Sequence, residues 1–320
     1  MEEIQQATEV KDEFQPTVEV RQDNQKGRKK RGLLWQENII GWIYVAPMLI
    51  GLFVFTAIPL IMSILAMFYQ WDGITGLFES EFVGFDHFAA IFGGIHSAVY
   101  WKAFGNTLIF ALQLPIGMIV GMFLALAMNR PMRGVQIFRI IYYLPCVMSI
   151  VAVTIIWQNL FAFDGSINNM LGTSIDWLVS DAGIAVTVIL LQVWKGVGYT
   201  ALMFIAGLQS VSTDQLEAAK IDGANAWTIL IKITLPALYP IVFYLFVTGL
   251  MGAMQMFNEP FILVEYGINN NAMTSVSFVY WCFGNSNLGL ASVAAWILAF
   301  IIIVITVIQM YVDKRKQEAE

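Results

Sequence analysis

The chain has 320 residues, of which 58% are hydrophobic and 12% charged, and its mean hydropathy is +0.69. Soluble domains carry about 25% charged residues, so this composition excludes an ordinary water-soluble protein and indicates an all-α integral membrane protein. The net charge of −6 says little about partners, because the acidic residues crowd into the N-terminal tail.

The N-terminal region differs in composition from the rest of the chain. Residues 1–25 are acidic, Gln-rich and without apolar periodicity, which predicts a disordered tail. The basic stretch "KGRKKRG" follows directly before the first apolar run, a position that favours the cytoplasmic side of a membrane and anionic lipid over nucleic acid. A signal peptide is not indicated, because the preceding region is long and acidic. We therefore predict a cytoplasmic tail over 1–34, a membrane domain over 35–312 and a cytoplasmic end over 313–320.

Six apolar stretches are long enough to cross a bilayer, which takes about 20 residues. They cover roughly residues 40–69, 104–128, 139–161, 183–208, 238–264 and 288–312. In the second stretch, the spacing Gly117-x3-Gly121 predicts a close approach of another helix.

Lysine and arginine positions predict the orientation. With the N-terminus inside, seven fall in the tail, three beside the loop between spans two and three, two in the loop before span five and three at the C-terminal end. Of 17 basic residues, only Lys102, on the outside, and Lys195, within span four, do not follow this pattern. The bias predicts that both termini are cytoplasmic.

The stretch "EAAKIDGANAWTILIKITLP" lies in the predicted cytoplasmic loop before span five. Capping patterns at Ser212-x-x-Gln215 and Asp214-x-x-Glu217 predict the start of a helix. The pair Asp222-Gly223 predicts a break, and a second helix is expected to run from Ala224 until Pro236 limits it. We therefore predict a helix–turn–helix at about residues 209–236. Composition alone leaves open whether it only rests on lipid.

The spacing in this loop resembles the EAA loop of ABC importer permeases at every position of that motif. The matching residues are Glu217, Ala218, Ala219, Gly223, Ile233, Leu235 and Pro236. The resemblance implies a coupling helix that sits in a cleft of a cytoplasmic ATPase. The small Ala224 and the acidic Asp222 beside the turn are expected to take part in this docking.

Further segments are similar to the binding-protein-dependent sugar permeases of the MalF/UgpA type. These segments read "FVGFDHFAAIF", "YYLPCVMSIVAVTIIWQNLF", "GSINNML" and "WKGVGYTALMFIAGLQSV", within residues 35–312. The resemblance implies six transmembrane helices of the importer permease fold in the bacterial inner membrane. It also implies a second homologous permease, two ATPase subunits that hold ATP and Mg, and an extracytoplasmic solute-binding protein.

Two polar stripes predict a substrate path, because polar residues inside a span usually face an interior cavity. Each stripe follows the spacing i, i+3, i+4 and i+7 of one helical face. They comprise Gln192, Lys195, Gly196 and Tyr199 in span four, and Gly252, Gln255, Met256 and Glu259 in span five. In maltose-type permeases the sugar-contacting positions align with these eight residues, so the resemblance implies a carbohydrate, and the differing residue types imply a different one.

Three questions stay open at this point. Lys195 and Glu259 differ by roughly 10 Å in depth, so Lys195 either reaches Glu259 by snorkelling or meets an anionic substrate. Gly196 and Gly252 serve either the substrate or helix packing. An ion-coupled secondary carrier with Lys195 and Glu259 as a titrating site is the rival function.

Residues for catalysis are not evident in the sequence. No Gly-x4-Gly-Lys-Ser/Thr occurs, so the chain is not expected to bind ATP through a P-loop. His87 and His96 share one polar loop without partner cysteines and are predicted to be surface residues. Cys146 and Cys282 are predicted to be buried small hydrophobes rather than metal ligands.

Overall fold

A computed structural model describes residues 40–129, 134–264 and 271–318. The predicted tail with its basic cluster, Arg130 and Arg133, and residues 265–270 of the third outer loop lie outside the described residues. The chain divides into two units, Met1–Ile61 and Met62–Glu320. In the described part of the first unit, the side chains are exposed or half-buried and mostly apolar.

The described residues form helices joined by short loops. They are α1 (Ile40–Ala66), α2 (Asp86–Phe92), α3 (Ser97–Phe110), α4 (Gln113–Met128), α5 (Val135–Val147), α6 (Ile150–Leu160), α7 (Ser166–Leu171), α8 (Asp181–Leu208), α9 (Thr213–Ile221), α10 (Ala226–Ile229), α11 (Leu235–Ala237), α12 (Tyr239–Met254), α13 (Asn258–Leu263), α14 (Ser275–Gly284) and α15 (Leu288–Gln317). Five-residue π turns lie within α1 (Phe53–Ala57) and between α10 and α11 (Leu230–Thr234).

Four helical segments of the described chain are long and apolar enough to cross a membrane. They are Ile40–Ala66, Ser97–Met128, Asp181–Leu208 and Leu288–Lys316. Two bent pairs, α5 with α6 and the Ala226–Ala237 segment with α12, raise the number to six if each pair is one span. The six-span, all-helical architecture agrees with the sequence expectation.

The third predicted span is not straight. α5 and α6 meet at an angle of 96°, because the chain leaves the helix at Met148, whose φ of −71° and ψ of 149° are extended. Pro145 lies inside the last turn of α5, where its missing N–H weakens the helix just before this break. The apolar stretch over 139–161 thus corresponds to a bent pair of helices that can form one of the six candidate spans.

Close contact between α4 and α8 holds the centre of the second unit together. A Cβ added at Gly121 would lie 2.7 Å from Cγ2 of Thr200, so the backbones approach at the predicted Gly-x3-Gly site. Ala125, Phe204 and Leu208 continue this seam as buried core residues. The stripe of α8 is thereby fixed in direction by packing on its opposite side.

The histidine and cysteine expectations have mixed outcomes. His87 is buried, and its Nε2 lies 3.1 Å from the carbonyl oxygen of Tyr69. Its prediction as a surface residue was wrong, because this backbone partner satisfies the ring inside the fold. His96 is half-buried beside Trp281, Cys282 is buried and Cys146 is half-buried.

Candidate functional site

The helix–turn–helix loop (residues 212–237) begins at a capped helix. The Ser212 hydroxyl accepts the backbone N–H of Gln215 at 3.4 Å, which satisfies one of the free donors of α9. Asp214 lies in the first turn and Lys220 in the last, where the helix dipole favours their charges. The first of the two predicted caps is thus the one that is used.

Gly223 makes the turn between the two arms of the loop. Its φ is +77°, in the left-handed region that glycine adopts without steric penalty. The Gly223 N–H donates to the Lys220 carbonyl at 3.1 Å, and the Ala224 N–H donates to the Ala219 carbonyl at 2.9 Å. This bonding pattern is a Schellman motif, and it confirms the break predicted at Asp222-Gly223.

The second arm starts at Asn225 and does not end at Pro236. The Asn225 side chain accepts the Thr228 N–H at 2.8 Å and so caps the helix. The π turn Leu230–Thr234 follows, in which the Leu235 N–H donates to the Leu230 carbonyl, and the arm continues to Ala237. The wide turn accommodates the proline, and the chain bends by 65° after Ala237, so the arm ends one residue beyond the limit expected at Pro236.

The predicted docking residues lie on an accessible surface. Glu217, Ala218, Asp222, Gly223, Leu235 and Pro236 are exposed, and Ala219 and Ala224 are half-buried. The two arms line an open cleft of about 580 Å³ that brings Ala218, Ala219, Asp222 and Pro236 together. Apolar side chains beside it also face outward, since Ile221 is 86% exposed. The small side chains around the turn allow the groove of another protein to approach the backbone closely.

The polar stripe predicted in span four lies on one continuous helix. Gln192, Lys195 and Gly196 are half-buried on α8, and Tyr199 is exposed. A Cβ at Gly196 would meet no atom within 4 Å, whereas a Cβ at Gly198 would overlap the carbonyl oxygen of Tyr142. Gly198 is therefore a packing glycine, and Gly196 faces open space.

The polar stripe predicted in span five is interrupted. α12 ends at Met254, and Gln255 has φ −102° and ψ 14° outside the helix, so Gly252, Gln255, Met256 and Glu259 do not share one helical face as predicted. The carbonyl of Met256 lies within this break, and the Thr274 hydroxyl donates to it at 2.8 Å. The hydrogen bond stabilises the non-helical segment.

Members of the broken stripe have different surroundings. Gly252 is exposed, and a Cβ added there would meet no atom within 4 Å. Gln255 is also exposed. Met256 is buried in a core cluster with Phe110 and Leu191 of the same chain. Its side chain is thus turned away from the open space beside Gly252.

Glu259 lies on the short α13, which packs mainly against α6 and also contacts α8. Its carboxyl group interacts with the Gln192 side chain and is close enough to Lys195 for an electrostatic interaction. Within the described chain, Lys195 and Glu259 do not form an ion pair at the 4.0 Å limit. The structure therefore brings the three polar side chains into one region and leaves the lysine ammonium without a close carboxylate.

Tyr244 of α12 lies beside Tyr199, and it was not among the predicted site residues. The Tyr199 hydroxyl lies close enough to Tyr244 of α12 for an electrostatic interaction between the two helices. The sequence contained a signal for Tyr244, because Tyr244, Thr248 and Gly252 recur every four residues and so lie on one face of α12. The Thr248 hydroxyl does not stand out as a polar group of this row, because it donates to the Tyr244 carbonyl of its own helix at 2.7 Å.

A second polar cluster lies at the start of α8. Lys102 of α3 lies 3.3 Å from the Asp181 carboxylate at the start of α8, and its ammonium also contacts the Asn271 side chain. Asn271 in turn donates to the Val179 carbonyl at 2.9 Å. The one lysine that the charge count assigned to the outside thus links α3, α8 and the segment after α13.

Comparison with known proteins gives a consistent result. The family described as binding-protein-dependent transport system inner membrane component matches residues 115–318. The chain is 32% identical to the probable ABC transporter permease protein YesP of Bacillus subtilis, over 88% of this chain and 92% of YesP. It is 29% identical to the lactose transport system permease protein LacF of Rhizobium radiobacter, over 88% and 96% of the two chains. A solved bacterial ABC transporter involved in import of the acidic polysaccharide alginate contains a chain with a TM-score of 0.76 and 25% identity, over 88% of this chain and 98% of that one.

Proposed function

The chain belongs to the family of binding-protein-dependent transport system inner membrane components, and we propose that it is the permease subunit of an ATP-driven importer for a carbohydrate. The names of its relatives, which include lactose and alginate transporters, support a carbohydrate substrate. The hydroxyl and amide groups of Gln192, Tyr199 and Tyr244 suit the hydroxyls of a sugar.

The observation that carries this proposal is the helix–turn–helix loop. Its caps and its Schellman turn give it a defined shape, and the residues that match the EAA motif lie on an accessible surface. The helix–turn–helix loop sits in a cleft of an ATPase subunit, which moves the spans through the two arms. ATP changes the equilibrium between inward- and outward-facing states only through its different affinity for the two states.

The proposed assembly divides the work among several chains. Two ATPase subunits bind ATP and Mg, a second homologous permease completes the path, and an extracytoplasmic binding protein delivers the sugar. Catalysis and the cofactor sites are assigned to the ATPase subunits in this proposal. Lys220, Lys232 and the basic residues at the end of α15 support a location in the bacterial inner membrane with both termini in the cytoplasm.

The substrate path runs between α8 and α12. Gly196 and Gly252 leave open space in which a ring can lie, and Gln192, Lys195, Gln255 and Glu259 supply polar groups beside it. Met256 contributes to the wall of the path through packing and not through direct contact with the sugar.

The test is a pair of substitutions at Gly223. A valine at φ +77° costs about 1–2 kcal/mol, so Gly223→Val is expected to weaken association with the ATPase subunits by about five- to thirty-fold. Gly223→Asn is the matched control, because asparagine tolerates the left-handed region. Membrane insertion should be the same in both. Equal ATPase association and equal sugar-stimulated ATP hydrolysis in the two variants would contradict the docking role.

Uptake into vesicles separates the importer from an ion-coupled carrier. The assembled transporter is expected to accumulate the sugar carried by its binding protein only with ATP inside. Uptake that follows a proton or sodium gradient without ATP would favour the carrier.

A further inference from the structure

A second groove lies on the other side of the first arm, away from the cleft between the arms. Its volume is about 460 Å³, within the range of small-ligand sites. It is enclosed by both arms and by the ends of α4 and α8, and its lining is mainly apolar. Phe123, Leu126, Leu208, Leu216, Trp227 and Leu230 form most of that lining.

The charge that lines this groove is positive. Lys220 is its basic residue, Asn129 and Thr234 are its other polar members, and none of the described residues that line it is acidic. Within the described chain, no carboxylate lies within 4.0 Å of the Lys220 ammonium. An anion at this position would meet an uncompensated positive charge.

The groove lies at the boundary of the membrane-spanning helices. Leu208 is the last residue of α8 and Asn129 directly follows α4, and both helices belong to segments long and apolar enough to span a bilayer. Trp227 at the groove is 64% exposed, and tryptophan is enriched where apolar and polar layers of a membrane meet. The position therefore corresponds to the depth of lipid headgroups.

The two faces of α9 serve different neighbours. Leu216 and Lys220, four residues apart, face the groove, whereas Ala218, Ala219 and Asp222 face the cleft between the arms. A protein partner in the cleft leaves the groove accessible from the membrane. A neutral sugar would gain little from an apolar lining with a single cation.

We infer that the groove binds one anionic phospholipid, with an acyl chain along the apolar lining and the phosphate at Lys220. Basic pockets between spanning helices on the cytoplasmic side are suited to anionic headgroups. The bound lipid connects both arms of the helix–turn–helix loop to the ends of α4 and α8.

The test uses the purified full-length chain in phosphatidylcholine nanodiscs that contain phosphatidylglycerol with a photoreactive acyl chain. Labelled peptides are expected to map to the groove, at the segments around Leu126, Leu216 and Leu230. Loss of one lysine contact with an anionic headgroup lowers binding by about five-fold, so Lys220→Gln should reduce labelling by that factor. Lys232→Gln is the matched control, because Lys232 lines the cleft and not the groove.

Three results would overturn the inference. Equal labelling of the two lysine variants would remove the role of Lys220. Equal labelling of the groove by a photoreactive phosphatidylcholine would show ordinary annular lipid. Loss of the label when the ATPase subunits are added would assign the groove to a protein partner. Ala226→Trp, which places an indole at the edge of the groove, should reduce labelling while Lys220 is retained.

Discussion

Two regions of this chain carry polar residues at the same helical spacing, and only one of them forms a continuous helix. α8 runs without interruption past Gln192, Lys195 and Tyr199. The corresponding residues of span five fall on the end of α12, on a break and on α13. The first stripe presents its side chains in a row, whereas the second distributes them between an open space and the protein core.

The difference shows what a periodic pattern can and cannot specify. A spacing of three and four residues places side chains on one face only if the backbone stays helical between them. In a continuous helix the Met256 carbonyl would face Pro260, which has no N–H to donate. The Thr274 hydroxyl, 18 residues beyond Met256 in sequence, donates to this carbonyl instead. The break also allows Glu259 to interact with Gln192 and Lys195 in spite of the depth difference expected for straight helices.

The largest expected effect comes from the two neighbouring glycines of α8. A methyl group at Gly198 would overlap the Tyr142 carbonyl, a backbone atom that cannot rotate away. Gly198→Ala is therefore expected to lower stability by about 3 kcal/mol, measured as thermal unfolding in detergent. It tests whether contact with α5 keeps α8 in place.

Gly196→Ala is the matched control on the same helix. Its added methyl group meets no atom of the chain within 4 Å, so stability should be unchanged while sugar uptake is reduced by the narrower path. Equal unfolding temperatures for the two variants would contradict the distinction between a packing glycine and a path glycine.

An intermediate effect is expected from threonine-to-valine substitutions, one in each region. Thr274→Val removes the bond to the Met256 carbonyl and the cap that the Ser277 N–H uses, at a cost of about 2 kcal/mol. Thr187 of α8 is equally buried, and its hydroxyl has no hydrogen-bond partner among the described residues. Thr187→Val should leave the unfolding temperature unchanged or raise it. A larger loss at Thr187 than at Thr274 would show that the break does not depend on this bond.

The smallest effect is expected at the ion pair between Lys102 of α3 and Asp181 at the start of α8. Lys102 and Asp181 are 39% and 64% exposed at their side chains, and such surface ion pairs contribute less than about 1 kcal/mol. Lys102→Met should therefore change the unfolding temperature only slightly, and less in high salt than in low salt. A loss as large as that of Thr274→Val would show that the cluster with Asn271 acts as a cooperative network.

The helix–turn–helix loop was the part most open to prediction from sequence. Ser212 and Gly223 act through bonds to residues within five positions of themselves, so their roles are contained in the local sequence. The same holds for the stripe of α8, whose helix has a local cap at Ser180 and no interruption.

Features that depend on distant partners could not be predicted. The Tyr69 carbonyl, 18 residues away in sequence, satisfies the buried His87 ring, and no residue near His87 in sequence indicates that contact. Pro260 is a local signal for the break after Met254, but the Thr274 hydroxyl that donates to the Met256 carbonyl is distant in sequence, and Met256 is buried by residues of α3 and α8. The 96° bend between α5 and α6 follows Pro145, but a proline permits such a bend without requiring it.

The π turn before Pro236 has a consequence for how force would travel through the second arm. A π turn accommodates one residue more per hydrogen-bonded ring than an α turn, and each residue of an α-helix advances about 100° around the axis. The side chains of α10, including Trp227, are thus rotated by about that angle from the direction that an unbroken α-helix would give them. The one additional residue of the π turn therefore sets the direction in which the side chains of α10 point.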